Sequence, residues 1–325
     1  MQLPAKRQCS SPTASAQFRA RLLAWYDVNA RDLPWRQSRD PYRVWVSEIM
    51  LQQTRVAAVI AHYQEFLRRF PTVEKLAGAR ESSVLAAWSG LGYYRRARML
   101  HAAAKVIVRQ LGGKFPHTAE GWRDLPGIGR YTAAAIASIA FGERAAVVDG
   151  NVERVLQRFS GKRSEGEALW NAAGAFLDHE RPGAFNQAMM ELGATVCTPR
   201  APACLTCPVV ELCATRGEMA GGPKAARQKK QEIHYALDCR DGRVFLVQRP
   251  GDASLMPGMW ELPEIAPPKN HAQPAFCLRH SITVTDYTVR VWRQSAHHPA
   301  GKWIARSSLM KQALTGLARK ILRKE

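Results

Sequence analysis

Two carboxylates and four thiols carry most of the chemistry this sequence can do. Glu48 lies in Val44 to Leu51, VWVSEIML, a stretch that reads as a helix apolar nearly all round apart from Ser47 and Glu48 itself. A buried carboxylate without a partner is costly to ionise, so its pKa is expected to rise toward the range a general acid needs. A purely structural Glu48 would instead pair with Arg43 or Arg55. Asp149 follows the apolar run Ala145 to Val148 and precedes Gly150 and Asn151, a pattern that belongs at a helix N-terminus. The thiols Cys197, Cys204, Cys207 and Cys213 are spaced C-x6-C-x2-C-x5-C in a loop that also carries Pro199, Pro202 and Pro208. Four thiolates so spaced suit tetrahedral zinc or a cubane iron–sulfur cluster, and the spacing leaves the two open.

These groups need elements to hold them. LPGIG, Leu125 to Gly129, is a short turn with two glycines, Gly127 and Gly129, able to take positive φ. The alanine-rich run Tyr131 to Phe141 behind it has strong helix propensity, and its first N–H groups would face an anion such as a phosphate. Gln52, Gln53 and Thr54 end the Glu48 helix in a polar, uncharged cluster suited to base edges. SGLGYYRRARML, with Tyr93 and Tyr94, reads as a flexible, cationic, aromatic turn able to wedge between stacked bases; core packing of the tyrosines is the alternative. RDLPWRQSRDPYRVW is a loop rich in Pro, Arg and Trp whose aromatics can pack it down.

The chain has 325 residues and a formal charge of +20, an excess that favours a polyanionic partner such as nucleic acid. The sequence shows no membrane-length apolar run and no signal peptide, so a cytoplasmic protein with no membrane partner is expected; a monomer is the expected assembly. Residues 1–16 read as a disordered N-terminus, followed by a helix from Phe18 to Asn29. Amphipathic helices follow between Ala57 and Gln110, broken at Pro71, Gly78 and SGLGYYRRARML, and a further set runs from Asn151 to Val196. Residues 17–213 are therefore an all-α region that ends in the cysteine loop 197–213. Residues 214–232, rich in Gly, Ala, Lys and Arg, read as an interdomain linker. In residues 233–325 the runs IHYALDC, RVFLVQR, SITVTDYTVRVW and KWIA alternate as strands, and LMKQALTGLARKILRK closes the chain as a basic amphipathic helix, which makes this domain α+β.

Together LPGIG, VVDGNV and the four cysteines resemble the helix-hairpin-helix DNA glycosylases with a 4Fe–4S loop. Within them, LPWR (Leu33 to Arg36), SEIMLQQTRV (Ser47 to Val56) and GLGYYRRAR (Gly90 to Arg98) resemble the MutY-type adenine glycosylases nearly letter for letter. The second domain resembles their Nudix-like 8-oxoguanine recognition domain through LMPGMWELP (Leu255 to Pro263) and LTGLARKIL (Leu314 to Leu322). The resemblance implies a monofunctional base excision repair enzyme that removes adenine mispaired with 8-oxoguanine or guanine in double-stranded DNA and leaves an abasic site. It implies Glu48 as the acid that protonates the base at N7, Asp149 as the carboxylate that stabilises the sugar cation, Asn151 as its orienter and Tyr131 at the reaction centre. Gln53 and Tyr93 match the family's wedges, and Gly127, Gly129 and Arg36 its DNA-binding positions.

The residue after the hairpin's arginine is a Schiff-base lysine in the endonuclease III branch; here it is Tyr131, and a phenol cannot form an imine. Two departures qualify the second domain. PEIAPPKNHAQPAF carries only Glu264 where true Nudix hydrolases have a Glu-rich metal helix, so pyrophosphatase activity is not expected. The reading loop runs Arg279, His280, Ser281, Ile282, Thr283, Val284 instead of continuing to Phe-Ser-His. Thr283 can replace the serine hydroxyl, but Val284 cannot supply an imidazole, which weakens the expected discrimination of 8-oxoguanine. The competing readings are a mismatch thymine/uracil glycosylase and a non-catalytic iron–sulfur DNA-binding protein.

Overall fold

A computed structural model describes residues 12–219, 228–268, 273–282 and 284–325. In chain order the described helices are α1 (Pro12–Asn29), α2 (Pro41–Leu51), α3 (Val56–Arg69), α4 (Val73–Ala77), α5 (Glu81–Trp88), α6 (Arg95–Gln110), α7 (Ala119–Arg123), α8 (Arg130–Phe141), α9 (Gly150–Ser160), α10 (Gly166–Phe176), α11 (Pro182–Thr195) and α12 (Gly316–Leu322). The strands are β1 (Lys229–Leu237), β2 (Cys239–Arg240), β3 (Arg243–Gln248), β4 (Trp260–Glu261), β5 (Phe276–Ile282), β6 (Thr285–Arg293) and β7 (Gly301–Ala305). They divide into two compact units, residues 1–56 with 106–222 and residues 57–105 with 223–325.

The first unit is built around α11. Phe185, Ala188, Met189 and Leu192 bury its inner face, and two glycines let it approach its neighbours closely. A Cβ on Gly183 would stand 2.5 Å from the Ser138 carbonyl oxygen of α8, and one on Gly193 would stand 2.6 Å from Cβ of Asn151 on α9. The alanines Ala133 to Ala137 of α8 are all buried, so the small side chains that favour a helix also permit dense packing around it. Phe18 of α1 meets Phe159 and Phe176 edge-on at 4.6 and 5.0 Å, which ties α1 to α9 and α10.

In the second unit Val59, Tyr63 and Phe66 form the helical stripe of α3, and Phe66 packs edge-on against Trp88. β1 runs parallel to β6, which pairs antiparallel with β5, while β3 pairs antiparallel with β2, β4 and β7. Leu317 and Ile321 of α12 are buried in a core shared with Val244, Leu246, Val289 and Val291.

Several sequence expectations change. Residues 12–16, read as disordered, are the first turns of α1, and Lys229 to Glu232, read as linker, are the start of β1. Helices α3 to α6 group with the C-terminal region and not with the rest of 17–213. Arg95 to Leu100, read as part of a break, open α6. The closing segment is not one helix: Arg306–Lys311 form a 3-10 turn, and Thr315 restarts the chain as α12 by accepting a hydrogen bond from Ala318 N at 3.1 Å. A side-chain cap of this kind outweighs the unbroken apolar period.

Candidate active site

The LPGIG turn is anchored from beneath. Leu125 and Ile128 are buried, with Leu125 N donating to Trp122 O and Ile128 N to Leu125 O. Gly127 takes φ +76°, and the exposed Gly129 stands at the N-cap of α8, where it supplies no side-chain cap. The start of α8 thus presents first-turn backbone donors and the positive end of a helix dipole.

Asp149 is the N-cap of α9. Its Oδ1 accepts from the backbone N–H of Asn151 and Val152 at 2.9 and 2.8 Å, and its Oδ2 accepts from Asn151 Nδ2 at 2.9 Å. Asn151 is fixed in turn by Arg154, whose Nη2 donates to Asn151 Oδ1 at 2.8 Å and to the Gly193 carbonyl at 2.7 Å. The same guanidinium donates through Nε to the Cys197 carbonyl at 2.7 Å. The missing side chain of Gly193 makes room for Asn151 here. The carboxylate therefore keeps one orientation, set by two helices and the start of the cysteine loop.

Glu48 is buried on α2, a helix capped by Asp40, which accepts from Arg43 N at 2.8 Å. The Tyr131 hydroxyl donates to Glu48 Oε2 at 2.8 Å and also lies 3.2 Å from Met190 Sδ. Arg43 and Arg55, the partners a purely structural role would need, are both exposed. Burial pushes the Glu48 carboxyl up to about 7; the Tyr131 hydrogen bond and the Arg36 charge oppose this rise, while the Asp149 charge adds to it. Burial, then the charges of Glu48 and Asp149, hold the Tyr131 phenol well above its ordinary range, so it serves as a proton donor in the hydrogen bond.

The other expected residues have mixed placements. Arg36 donates to Glu191 Oε2 at 2.7 Å and to the Arg31 carbonyl at 3.1 Å, and its guanidinium covers the Tyr26 ring at 5.4 Å. Expected at DNA, it sits instead in an ion pair with Glu191, which is buried and also takes two hydrogen bonds from the Arg31 side chain. Burial works against the Glu191 charge, but the two arginines hold its pKa down at about 2. Gln52 is turned inward, with its amide donating to Thr132 Oγ1 at 3.0 Å, whereas Gln53 is exposed and left-handed at φ +54°. In the second unit Tyr93 is likewise left-handed at φ +47° and 48% exposed. Strained, outward non-glycine residues cluster at functional positions. Thr283 lies outside the described residues, and Val284 is exposed.

The four cysteines share one neighbourhood at the end of the first unit. All four are partly buried, and the pKa of Cys207 is pushed up to about 11, chiefly by burial and then by Cys197, Cys213 and Cys204. The Cys204 thiol is raised in the same way, by burial and then by Cys213 and Cys197. Arg158 stitches the loop to α9, donating to the carbonyls of Thr198 and Pro199 at 2.7 and 2.9 Å and approaching Cys197 Sγ at 3.5 Å. Sulfurs that hinder one another's ionisation beside a buried cation form a donor set suited to a positively charged metal centre. Among the described residues no three His, Cys, Asp or Glu side chains gather closely enough to hold one metal ion.

Sequence reasoning missed Arg154, Gly193, Arg31 and Glu191. Arg154 was open to discovery, because it stands three residues after Asn151 on one helix, where side chains meet. The other three act from distant segments.

Residues 46–169 match the model of the HhH-GPD superfamily base excision DNA repair proteins. A human adenine DNA glycosylase is 41% identical over 313 aligned positions, which cover 76% of this chain and 57% of the relative. A mouse adenine DNA glycosylase is 41% identical, covering 79% of this chain and 62% of the relative. The chain thus spans about three fifths of the length of these curated relatives. Among solved structures, a thermostable thymine-DNA glycosylase superposes with a TM-score of 0.58 at 32% identity, covering 61% of this chain and 94% of that one.

Proposed function

This chain belongs to the HhH-GPD superfamily of base excision DNA repair proteins, and from that premise we propose that it is a monofunctional adenine DNA glycosylase. Its substrate is duplex DNA holding adenine opposite 8-oxoguanine or guanine, and its product is an abasic site. The observation that carries the reading is the pair of carboxylates with opposed environments: Glu48 buried and raised to about 7, Asp149 held by three donors at a helix N-terminus.

In the proposed reaction the flipped adenine takes the Glu48 proton at N7. The electron pair of the glycosidic bond leaves with the base, and positive charge grows on the sugar. Asp149 stabilises that charge without reorienting, since Asn151 and Arg154 already fix it. Water adds to the anomeric carbon and its proton is returned to the site. Tyr131 offers a phenol where strand cleavage needs an amine, so the reaction stops at the abasic site. The uncapped start of α8 beside Gly127 and Gly129 binds the phosphate backbone.

Cys197, Cys204, Cys207 and Cys213 hold a 4Fe–4S cluster in this reading. What supports the reading is the set of four partly buried thiols that share one neighbourhood beside Arg158. When bound, the group ties the loop segments together and brings one-electron redox capacity. Residues 229–325 form the Nudix-like domain that reads the base opposite adenine.

Similarity to a thymine-DNA glycosylase favours a second reading, removal of thymine. That structure accounts for 61% of this chain, however, whereas the human adenine enzyme aligns over 76%. Single-turnover cleavage, with and without alkali, of duplexes holding A opposite 8-oxoguanine, A opposite G and T opposite G decides between them. Adenine release with alkali-dependent strand breaks is expected. Thymine release without adenine release would overturn the substrate, and breaks without alkali would overturn the monofunctional mechanism.

A further inference from the structure

The loop between α5 and α6 is held in an unfavourable conformation. Gly90, Gly92 and Tyr93 take φ of +110°, +71° and +47°, and the left-handed region is strained for a tyrosine. Local contacts hold it in part: the Arg96 guanidinium donates to the Leu91 and Gly92 carbonyls at 3.3 Å each, and Gly90 N donates to the Tyr94 hydroxyl at 3.4 Å. The Trp88 indole N–H donates to the Gly92 carbonyl at 3.1 Å, and the Arg96 guanidinium lies between the Trp88 and Tyr93 rings at 5.5 and 5.4 Å.

Further support comes from the C-terminal half of the same unit. Ser89 and Tyr94, both buried, flank the loop, and their hydroxyls donate to one acceptor, the Leu314 carbonyl, at 2.6 and 3.2 Å. Two donors fill the two lone pairs of that oxygen. A Cβ at Gly90 would meet His62 Nε2 of α3 at 3.1 Å and Arg319 Cδ of α12 at 4.0 Å, so the loop backbone is clasped between the two helices. Arg98 donates to the Pro257 carbonyl at 2.6 Å.

The receptors are the two stretches that marked the C-terminal domain in the sequence. Pro257 and Trp260 belong to LMPGMWELP, and Leu314 and Arg319 to LTGLARKIL. The two stretches brace one another: Trp260 N donates to Ala313 O at 2.8 Å and Thr315 N to Trp260 O at 2.9 Å. The Leu314 carbonyl is thus presented by a braced pair of segments to a loop in which Tyr93 is the exposed aromatic side chain.

We infer that these two stretches act as a latch for the wedge loop, with Ser89 and Tyr94 as positioning residues that fix Tyr93 in the conformation that enters the base stack. The inference rests on the reading of the chain as a base-flipping glycosylase. Preorganisation explains why two hydroxyls converge on one carbonyl where alanine and phenylalanine would fill the same space.

The test is a double-mutant cycle on the full chain, combining Ser89→Ala/Tyr94→Phe with Tyr93→Ala. The probe is a duplex with A opposite 8-oxoguanine and 2-aminopurine beside the mispair, whose fluorescence reports unstacking. The latch variant is expected to lose about three- to tenfold in unstacking equilibrium and single-turnover adenine release, with its thermal unfolding transition still cooperative. In the Tyr93→Ala background the same substitutions should cost nothing further. Additive losses, or full unstacking by the latch variant, would overturn the latch while leaving adenine excision intact. If wild-type protein unstacks the duplex but releases no adenine, the glycosylase reading fails and the fluorescence cycle still judges the latch.

Discussion

The Tyr131 hydroxyl donates to Glu48 Oε2 at 2.8 Å, joining the first turn of α8 to the buried face of α2. This bond favours the charged carboxylate, yet burial prevails and holds the Glu48 pKa up at about 7. An acid that retains its proton near neutrality results from that balance.

Adenine release should therefore fall as pH rises through about 7, where Glu48 loses its proton. Single-turnover rates from pH 5 to 9 check this, and a rate that does not fall between pH 6 and 9 would remove Glu48 as the acid. Glu48→Gln should lower the rate by about a hundredfold or more.

The same shift predicts a stability effect. The folded pKa lies above the ordinary value of 4.5, so the Glu48 contribution favours folding below about 4.5 and is lost as pH rises from there to about 7. The difference amounts to about 3 kcal/mol at alkaline pH. Glu48→Gln should consequently unfold at a higher temperature than wild type at pH 8, with the gap closing toward pH 4.5. An equal gap at both pH values would contradict the assignment.

Removing the phenol in Tyr131→Phe takes away a hydrogen bond that lowers the Glu48 pKa, so the alkaline limb of the rate profile should move upward. Tyr131→Lys places an amine in the same position and should confer strand cleavage that borohydride can trap. Neither change is expected to cost more than about 2 kcal/mol of stability.

Gly193→Ala should cost about 1–3 kcal/mol, because its Cβ would press on Cβ and Cα of Asn151 at 2.6 and 3.0 Å. Since Asn151 orients Asp149, adenine release should fall in the folded protein as well. Gly174→Ala, where nothing lies within 4 Å of the added methyl, is the control and should be neutral or stabilising. Equal effects at the two sites, read by chemical denaturation and single-turnover kinetics, would argue against the close approach of α11 to α9.

The protein as purified is expected to be brown and to contain about four irons per chain. Cys207→Ser should lose that colour, and the chain should unfold at lower temperature. Stoichiometric zinc with no visible absorbance would replace the cluster with a mononuclear centre.

Much of the site was legible in the chain because it depends on local pattern. Asp149 before Gly150-Asn151 specifies an N-cap, LPGIG specifies a glycine turn leading into a helix, and the apolar frame around Glu48 specifies its burial; each needs only neighbours within a turn or two. The split of the closing segment at Thr315 was not legible, since an amphipathic period continues across it and the capping bond shows only in three dimensions. Arg36, a DNA-binding position by resemblance, is paired with Glu191 from far along the chain, a contact no local pattern announces.

The sequence by itself determined which groups are present: an acid on an apolar helix, a second carboxylate at a helix start, a phenol in place of an amine, four thiols in a proline-rich loop. Composition and short-range periodicity suffice for that. Only the tertiary structure decided that Tyr131 reaches Glu48, that Arg154 joins Asn151 to Cys197, and that the carbonyl of Leu314 supports the loop carrying Tyr93. Those contacts link residues far apart in the chain, and their existence depends on how closely α11, α8 and α9 approach and on where α12 begins. Close approach of helices depends on glycines whose function no local pattern reveals.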